Sequence, residues 1–559
     1  MTTWYLGLST TGHDPALALV DERGTLVFAE ATERYMQDKR AWGVAADHPA
    51  HLAQALKAVG ADPKKDKLVV ASTWQTQKVD LPPDMVDLMM PADHALWLWH
   101  VHQNAQSAMG AGVMRQGFAN GQMPDIKRFE HHLCHAVAAC HQTPHDDAVC
   151  LVIDGEGEAG AAAVYDMTDR QIKRRWRSWG PGSLGAFYSK LTLLAGFDWR
   201  LGEEWKLMGL AAFGTPVPAL IEALCATVTV DRGRLRFADT DIVKQALAMA
   251  QTYGRSADDP IMQGADLAAS AQAAYARITD QVVESVLSDS PENLVLTGGC
   301  ALNSSYNGTI ARRFNVASVT VPSAPGDDGN AVGAALLAWM DDTKQKQIPK
   351  GTGTAYLGAR PNPEAITKAQ DYCKVACVTE CGDRSVPKVA QLLKDGKIIG
   401  VMRGRAEFGP RALGNRSILA DPSVPDMKDR INMLVKGREA YRPFAPVIPA
   451  EDASQWFDHA QPAPYMSFTL PWAAGQGAKV PAVVHEDGTG RLQTVTEACA
   501  PWMHALCRAM GKTAGVPVVL NTSFNIMGKP IVHSVEDAVA MFMTSGLDAL
   551  LLEDVLFEK

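Results

Sequence analysis

Short apolar runs separated by polar turns open the chain. WYLGLS, ALALV and LVFAEA read as three strands, joined by the turns TTGHDP and DERGT. The same plan returns much later in AVCLVIDGEGEAGAAAVYDMTDRQIKRRWR: an apolar strand, an acidic glycine turn, a small-residue strand, a polar turn and a third strand. A hairpin with a polar first turn, occurring twice, predicts a duplicated α/β domain with a cleft between its halves. Two more glycine turns follow. NLVLTGGCALNSSYN places one after a strand, and APGDDGNAVGAALLAWM opens a small-residue helix. Backbone N–H groups at such turns and helix starts are ready cradles for anions. From Asp341 to Gly353 the chain turns polar and lysine-rich and reads as a linker, dividing the protein into residues 1–345 and 346–559. Beyond it, SVPKVAQLLKDGKIIGVMRGR predicts a helix followed by a strand.

The fold class is therefore α/β throughout. Its N-terminal half is built like the actin-like (ASKHA) ATPases, which hold phosphates on the two corresponding turns. Composition narrows the class further. The 559 residues are 47% hydrophobic and 21% charged, with a formal net charge of −9. No basic stretch dominates, so wrapping nucleic acid is not the expected task. No apolar run spans a bilayer and no signal peptide is apparent, so a cytoplasmic chain is expected. The ten cysteines form no CxxC pair. Cys373, Cys377 and Cys381 recur every four residues but are one ligand short of a closed zinc site.

FEHHLCHAV packs three histidines into five positions. On a helix, His131 and His135 share a face, as two metal ligands would, while His132 points elsewhere. Asp154 ends a buried strand in LVIDGEGE, where an unpaired carboxylate is costly. Asp327 and Asp328 sit in the fourth glycine turn. Two histidines and two carboxylates make a mixed nitrogen/oxygen set suited to Fe(II), Mn(II) or Zn(II). The second half is rich in arginine: RGRAEFGPRALGNRSI carries Arg403, Arg405, Arg411 and Arg416, and LVKGREAYRPFAP carries Lys436, Arg438 and Arg442. Arg491 lies in TGRLQTV. Interleaved Phe408, Pro410, Leu413, Ile418, Phe444 and Pro446 favour an anion pocket over a solvated basic face. VPVVLNTSFNIMGKPIV places Asn521, Thr522 and Ser523 after a buried strand, suited to hydrogen-bonding a nucleotide or phosphate.

These stretches, together with EEWKLMGLAAFG and GGCALN, closely resemble the O-carbamoyltransferases of the nodulation and antibiotic-tailoring type, in order over nearly the whole chain. The resemblance implies a first domain like tRNA threonylcarbamoyl transferase and a second like threonylcarbamoyl-AMP synthase. It implies that ATP, with Mg2+, and carbamoyl phosphate give carbamoyl-adenylate in the second domain. The carbamoyl group then passes to a hydroxyl in the first. The family's metal ligands, for Fe(II) or another divalent ion, match His131, His135, Asp154 and Asp327. The histidine that assists proton removal matches His13, and Lys39 matches a basic residue near the carbamoyl-adenylate. Gly299, Asn303 and, more loosely, Gly185 match the segment holding its adenosine part. Arg411, Lys436, Arg442, Arg491, Asn521 and Ser523 match the pocket for ATP and carbamoyl phosphate.

The sequence departs from the family in HDPALA, in TERYMQDKRAWG and at Lys529, which leaves the acceptor open. Pro82–Ala111, with Trp97, Trp99, His100 and His102, reads either as an acceptor-facing helix or as an ordinary packed one. Glu204 and Lys206 read either as a helical or loop ion pair or as part of a site. The expected partners are a small-molecule hydroxyl acceptor and, in a possible homodimer, a second copy, with no nucleic acid and no membrane. Rival readings are a tRNA threonylcarbamoylation enzyme and a nucleotide-operated regulatory module without transfer chemistry.

Overall fold

The structure is a computed structural model that describes residues 2–75, 88–118, 122–180, 182–287 and 292–559. It divides into two compact units. The first comprises Met1–Glu33, Arg40–Asn303 and Ile310–Gly353; the second comprises Arg34–Lys39, Ser304–Thr309 and Thr354–Lys559. Among the described residues no helix is long and apolar enough to cross a membrane.

The first unit contains the expected duplication. One sheet has the order Leu26–Ala31, Ala16–Val20, Thr3–Ser9, Lys67–Thr73, Ile126–Phe129. The other has the order Gln171–Arg177, Ala162–Thr168, Ala148–Ile153, Glu292–Thr297, Val316–Thr320. In each, the first three strands in sequence form an antiparallel meander, and the fourth and fifth add in parallel on the far side of the first. This third-second-first-fourth-fifth order, repeated, is the actin-like arrangement.

Turn chemistry sets both hairpins. Asp21 Oδ1 accepts the backbone N–H of Arg23 and Thr25, and Gly24 adopts φ 82°. The second hairpin reverses through Asp169 and Arg170 with φ 48° and 58°, the left-handed pair that a two-residue turn demands. Two helices fill the space between the sheets. His131–Gln142 packs on the second sheet, while Asn330–Thr343 packs on the first and against His131–Gln142. Gly333 makes this possible: a Cβ there would lie 2.0 Å from Cys134 O. The two helix N-termini therefore converge beside the ends of the first strands.

Asp341–Gly353 is not the free linker its composition predicts. Asp341 to Thr343 finish the helix Asn330–Thr343, Gln347 bridges to Gln171, and Ile348 N donates to Arg170 O. Gly351 N donates to His141 O, so the boundary falls after Gly353 rather than at 345.

The second unit is built on a nine-stranded mixed sheet. Its order is Cys377–Glu380, Val555–Glu558, Ala549–Leu552, Ile399–Met402, Arg416–Ala420, Val519–Ser523, Ala445–Pro449, Thr489–Val495, Phe468–Pro471. The amphipathic helices Ser385–Lys394 and Pro501–Thr513 bury Leu393, Leu506 and Met510 against Val401, Val447 and Val519. A π-helical turn, Ile431–Lys436, closes on Gly437 at φ 58° and sets the direction of Lys436.

Candidate functional site

The first unit gathers His131, His135, Asp154 and Asp327 into one buried cluster, with one ligand atom from each within 4.8 Å of the others. His131 Nε2 lies 3.0 Å from Asp154 Oδ2 and 3.4 Å from Asp327 Oδ1; His135 Nε2 lies 3.2 and 3.3 Å from the same two oxygens. Ligands about 2.0–2.2 Å from one ion sit roughly 3–3.6 Å apart, which is the spacing here. Burial opposes charge on His131, but the Asp327 and Asp154 carboxylates outweigh it and raise the imidazole to about 10. Burial and Asp327 work against ionised Asp154, yet the two histidines hold it well below the usual carboxylate range. Such a set calls for positive charge at its centre, and a divalent cation would satisfy all four groups at once.

The surroundings fix these side chains. Gly299 N donates to Asp154 Oδ1 at 2.9 Å. Trp74 stacks on His131 with centroids 4.3 Å apart. Glu158 accepts the backbone N–H of His131 and Gln75, both at 3.0 Å, and so caps the histidine helix from another loop. Asn330 Nδ2 lies 3.3 Å from His131 Nδ1, while its own buried Oδ1 has no partner among the described residues. Turning the amide over would let Oδ1 accept from Nδ1–H and leave the His131 Nε2 lone pair facing the cluster, as metal ligation requires. His132 points away, as its helical position predicts. Its ring lies against Gly157, and burial pushes its pKa down to about 3.

His13 stands beside this cluster, its Nε2 3.7 Å from Asp327 Oδ2 and its Nδ1 2.9 Å from Asp14 Oδ2. The basic residue beside it is Arg40. Arg40 Nη2 lies 2.8 Å from Asp14 Oδ2 and 3.0 Å from His13 Nδ1, with its backbone at φ 62°. Lys39 falls in the stretch Arg34–Lys39, which belongs to the second unit. Trp42 packs edge-on to His13 at 5.0 Å and against Trp97 at 4.5 Å.

Trp97 lies on the helix Ala92–Ala108, which meets the His13 turn. His102 Nδ1 is 2.9 Å from Thr11 O, Gln106 Nε2 donates to Thr10 O, and Trp99 is half exposed. Residues 82–87 of that stretch lie outside the described residues. Gly185 serves close packing: a Cβ there would lie 2.7 Å from Gly155 Cα and 3.1 Å from Asp154 O. Asn303 exchanges two hydrogen bonds with Gln272. Lys206 pairs with Glu203 at 2.7 Å, and the Glu204 carboxylate accepts from Ser189.

The second unit holds the opposite kind of site. Arg411, Lys436, Arg438, Arg442 and Arg491 act on one another as neighbouring cations. Burial and then Arg411, Arg438 and Arg442 push Arg491 well below its usual value; burial and then Arg438 and Arg442 do the same to Lys436. Burial lowers Arg411 to about 10, and it makes no hydrogen bond to another described residue. Glu439, 3.4 Å from Arg442, is the carboxylate ion-paired in this group. Lys436 Nζ donates to Ser523 Oγ (3.1 Å), Asn525 Oδ1 (2.7 Å) and the carbonyls of Ser523 and Asn525.

Asn521 is held by its amide: Nδ2 donates to Ala412 O at 3.0 Å and to Gln493 Oε1 at 2.8 Å, and Gln493 Nε2 donates to Leu413 O. That chain fixes the orientation and leaves Asn521 Oδ1 a buried acceptor without a donor among the described residues. Arg438, which donates to Asn432 Oδ1 and lies over Phe444, belongs to the cluster as well. Arg405 and Arg416 do not. Arg416 is fully buried and donates to the carbonyls of Arg403, Gly404, Asn415 and Ala359, and Arg405 donates to those of Gly358 and Leu357. Arg403 lies over Trp502. These three stabilise the fold.

Residues 4–336 match the family model described as carbamoyltransferase N-terminus, and residues 390–559 match carbamoyltransferase C-terminus. The chain is similar to uncharacterized protein sll1178 of Synechocystis (34% identical, over 78% of this chain and 77% of that one). It is similar to nodulation protein NolO of Bradyrhizobium diazoefficiens (34% identical, over 77% and 78%). It is also similar to 3'-hydroxymethylcephem-O-carbamoyltransferase of Amycolatopsis lactamdurans (30% identical, over 78% and 81%). The chain belongs to the carbamoyltransferase family and is an enzyme that transfers carbamoyl groups.

Proposed function

We infer that the protein is an ATP-dependent O-carbamoyltransferase that divides its reaction between the two sites. The observation that carries this reading is the second unit's cluster of five cations, Lys436 buried and the four arginines half-buried, with a fixed acceptor at Asn521 that has no donor among the described residues. Cations held together at such electrostatic cost suit a polyanion, and an orphaned acceptor among them suits an anion that bears N–H. ATP and carbamoyl phosphate together meet both needs.

Atom balance sets the steps. Water cleaves carbamoyl phosphate to carbamate and phosphate, and a carbamate oxygen attacks the α-phosphorus of ATP. The α–β bond breaks, pyrophosphate leaves, and carbamoyl-adenylate remains. Arg411, Arg442 and Arg491 would neutralise the two anions and stabilise charge on the phosphoryl oxygens. Lys436 would be shared between Ser523, Asn525 and a phosphate.

In the first unit His131, His135, Asp154 and Asp327 would hold a divalent metal, Fe(II) by family resemblance, which when bound would act as a Lewis acid on the carbonyl or phosphate oxygens. When His13 Nδ1–H donates to Asp14, itself bound by Arg40, the Nε2 lone pair is free to take the proton of the acceptor hydroxyl. The hydroxyl oxygen then bonds to the carbamoyl carbon and AMP departs. Gly299, Asn303 and Gly185 are the residues assigned to the adenosine part. Like the cephem relative, the protein would act on a small-molecule hydroxyl.

Pyrophosphate release from ATP, with and without carbamoyl phosphate, tests the division in the wild type, Arg411→Ala and His131→Ala. Release should need carbamoyl phosphate and Arg411 and survive loss of His131. Release independent of carbamoyl phosphate, or equal loss in both variants, would overturn the two-site scheme.

A further inference from the structure

The second unit is discontinuous in sequence, and the short stretch Arg34–Lys39 belongs to it. Arg34 is 2% exposed. Its guanidinium donates through Nη1 to Glu407 O and through Nη2 to Gly409 O, the backbone just before Arg411. The same loop is closed at its far end by Glu407 itself, whose Oε1 accepts the backbone N–H of Leu413 (2.7 Å), Asn415 (2.8 Å) and Arg416 (3.2 Å). Ala412 O and Leu413 O are held by Asn521, Gln493 and Tyr356.

These fixed points are hydrogen bonds to the loop backbone, and the Arg411 guanidinium makes none to another described residue. Gln37, on the same stretch, donates to Ile531 O, and Tyr35 lies edge-on to His533 at 5.3 Å. Those residues lie downstream of Ser523 and Asn525, and Val532 N donates to Phe524 O. One helical turn from the N-terminal part of the chain thus touches both loops that supply the cation pocket.

We propose that Arg34 is a positioning residue for Arg411: its planar fork holds the Glu407–Gly409 backbone so that an otherwise unanchored guanidinium meets carbamoyl phosphate in the pocket. A lysine cannot reproduce the two parallel donors, because its ammonium is a point charge. The inference rests on the adenylating reading of that pocket, so its test carries one arm that needs no activity. In the full-length chain, Arg34→Ala should lower kcat/KM for carbamoyl phosphate in pyrophosphate release at least tenfold. Arg34→Lys should fall between it and the wild type, and millimolar guanidinium ion should restore part of the Arg34→Ala loss.

Backbone amides of residues 411–416 should exchange with deuterium faster in both variants, with the core strands Ile399–Met402 and Val519–Ser523 unchanged. Wild-type kinetics in Arg34→Ala beside a dead Arg411→Ala would overturn the proposal. Unchanged exchange at 411–416 would overturn it as well. If the wild type releases no pyrophosphate, the adenylating reading fails, and the exchange arm still decides whether Arg34 holds the loop.

Discussion

Replacing Arg491 by methionine should make the protein more stable and inactive. Arg491 is half-buried, and burial together with Arg411, Arg438 and Arg442 disfavours its charge. Its Nε is buried without a partner among the described residues. Two like charges about 8 Å apart at an effective dielectric of about 20 repel by roughly 2 kcal/mol, so three neighbours give an upper figure near 6 kcal/mol. Solvent and counterions at the pocket mouth reduce this, and methionine recovers packing along the aliphatic stem. A net gain of about 1–3 kcal/mol follows. For a domain of this size each kcal/mol raises Tm by about 2–4 °C.

The assay is thermal unfolding with and without ligand. Wild-type protein at a hundredfold excess of ATP or carbamoyl phosphate over Kd should gain about 2.7 kcal/mol, and Arg491→Met should lose that gain along with carbamoyl phosphate-dependent pyrophosphate release. A variant that melts below the wild type in the absence of ligand would refute the idea that the pocket is held together against repulsion.

Arg416→Met should do the reverse, destabilising by at least about 3 kcal/mol in a denaturant titration, because it leaves several backbone carbonyls without their donor. Asp154→Asn keeps an acceptor for Gly299 N–H but removes charge, so bound divalent metal measured by mass spectrometry should fall roughly a hundredfold in affinity while pyrophosphate release persists. Gly185→Ala drives a Cβ into backbone and should cost about 1–3 kcal/mol, whereas Gly299→Ala meets only Asp154 Oδ1 at 3.0 Å and should weaken metal binding with little loss of Tm.

Burial holds His141 down to about 4, against the bond from its Nδ1 to Pro349 O. The unfolded chain then binds a proton that the folded one does not, so stability should fall by about 1.4 kcal/mol per pH unit from pH 6.5 towards 4. His141→Asn should flatten that slope in unfolding curves.

Much of the first unit could be read from the chain because its signals are local. The two hairpins are written in strand and turn residues, and the spacing of His131 and His135 follows from helical periodicity alone. What brings Asp154 and Asp327 to them is not local. It depends on Gly333 letting one helix lie on another, a contact between residues far apart in sequence. Asn330, Trp74 and Glu158 were missed for the same reason, since each acts on His131 from a different element. Lys39 and Arg40 show the limit most sharply: adjacent in sequence, they fall in different units, and the backbone is left-handed at both Arg40 and Ala41.

Arginine count was the least informative signal in the second unit. RGRAEFGPRALGNRSI offers four, and composition cannot separate them, yet their roles follow from what each guanidinium meets. Arg416 donates to carbonyls of its own loop and to Ala359 O, Arg405 donates to Gly358 O and Leu357 O, and Arg403 lies on an indole and pairs with Asp554. Arg411 differs because the loop backbone is already satisfied by Arg34, Glu407, Asn521 and Gln493. A loop that closes its backbone hydrogen bonds through other residues leaves its arginine to a ligand. The same reasoning separates the two sites by charge. The histidine–aspartate cluster is short of positive charge and the arginine pocket short of negative charge, and the net −9 of the chain averages over both. Function lies in that local imbalance, which a sequence total cannot record.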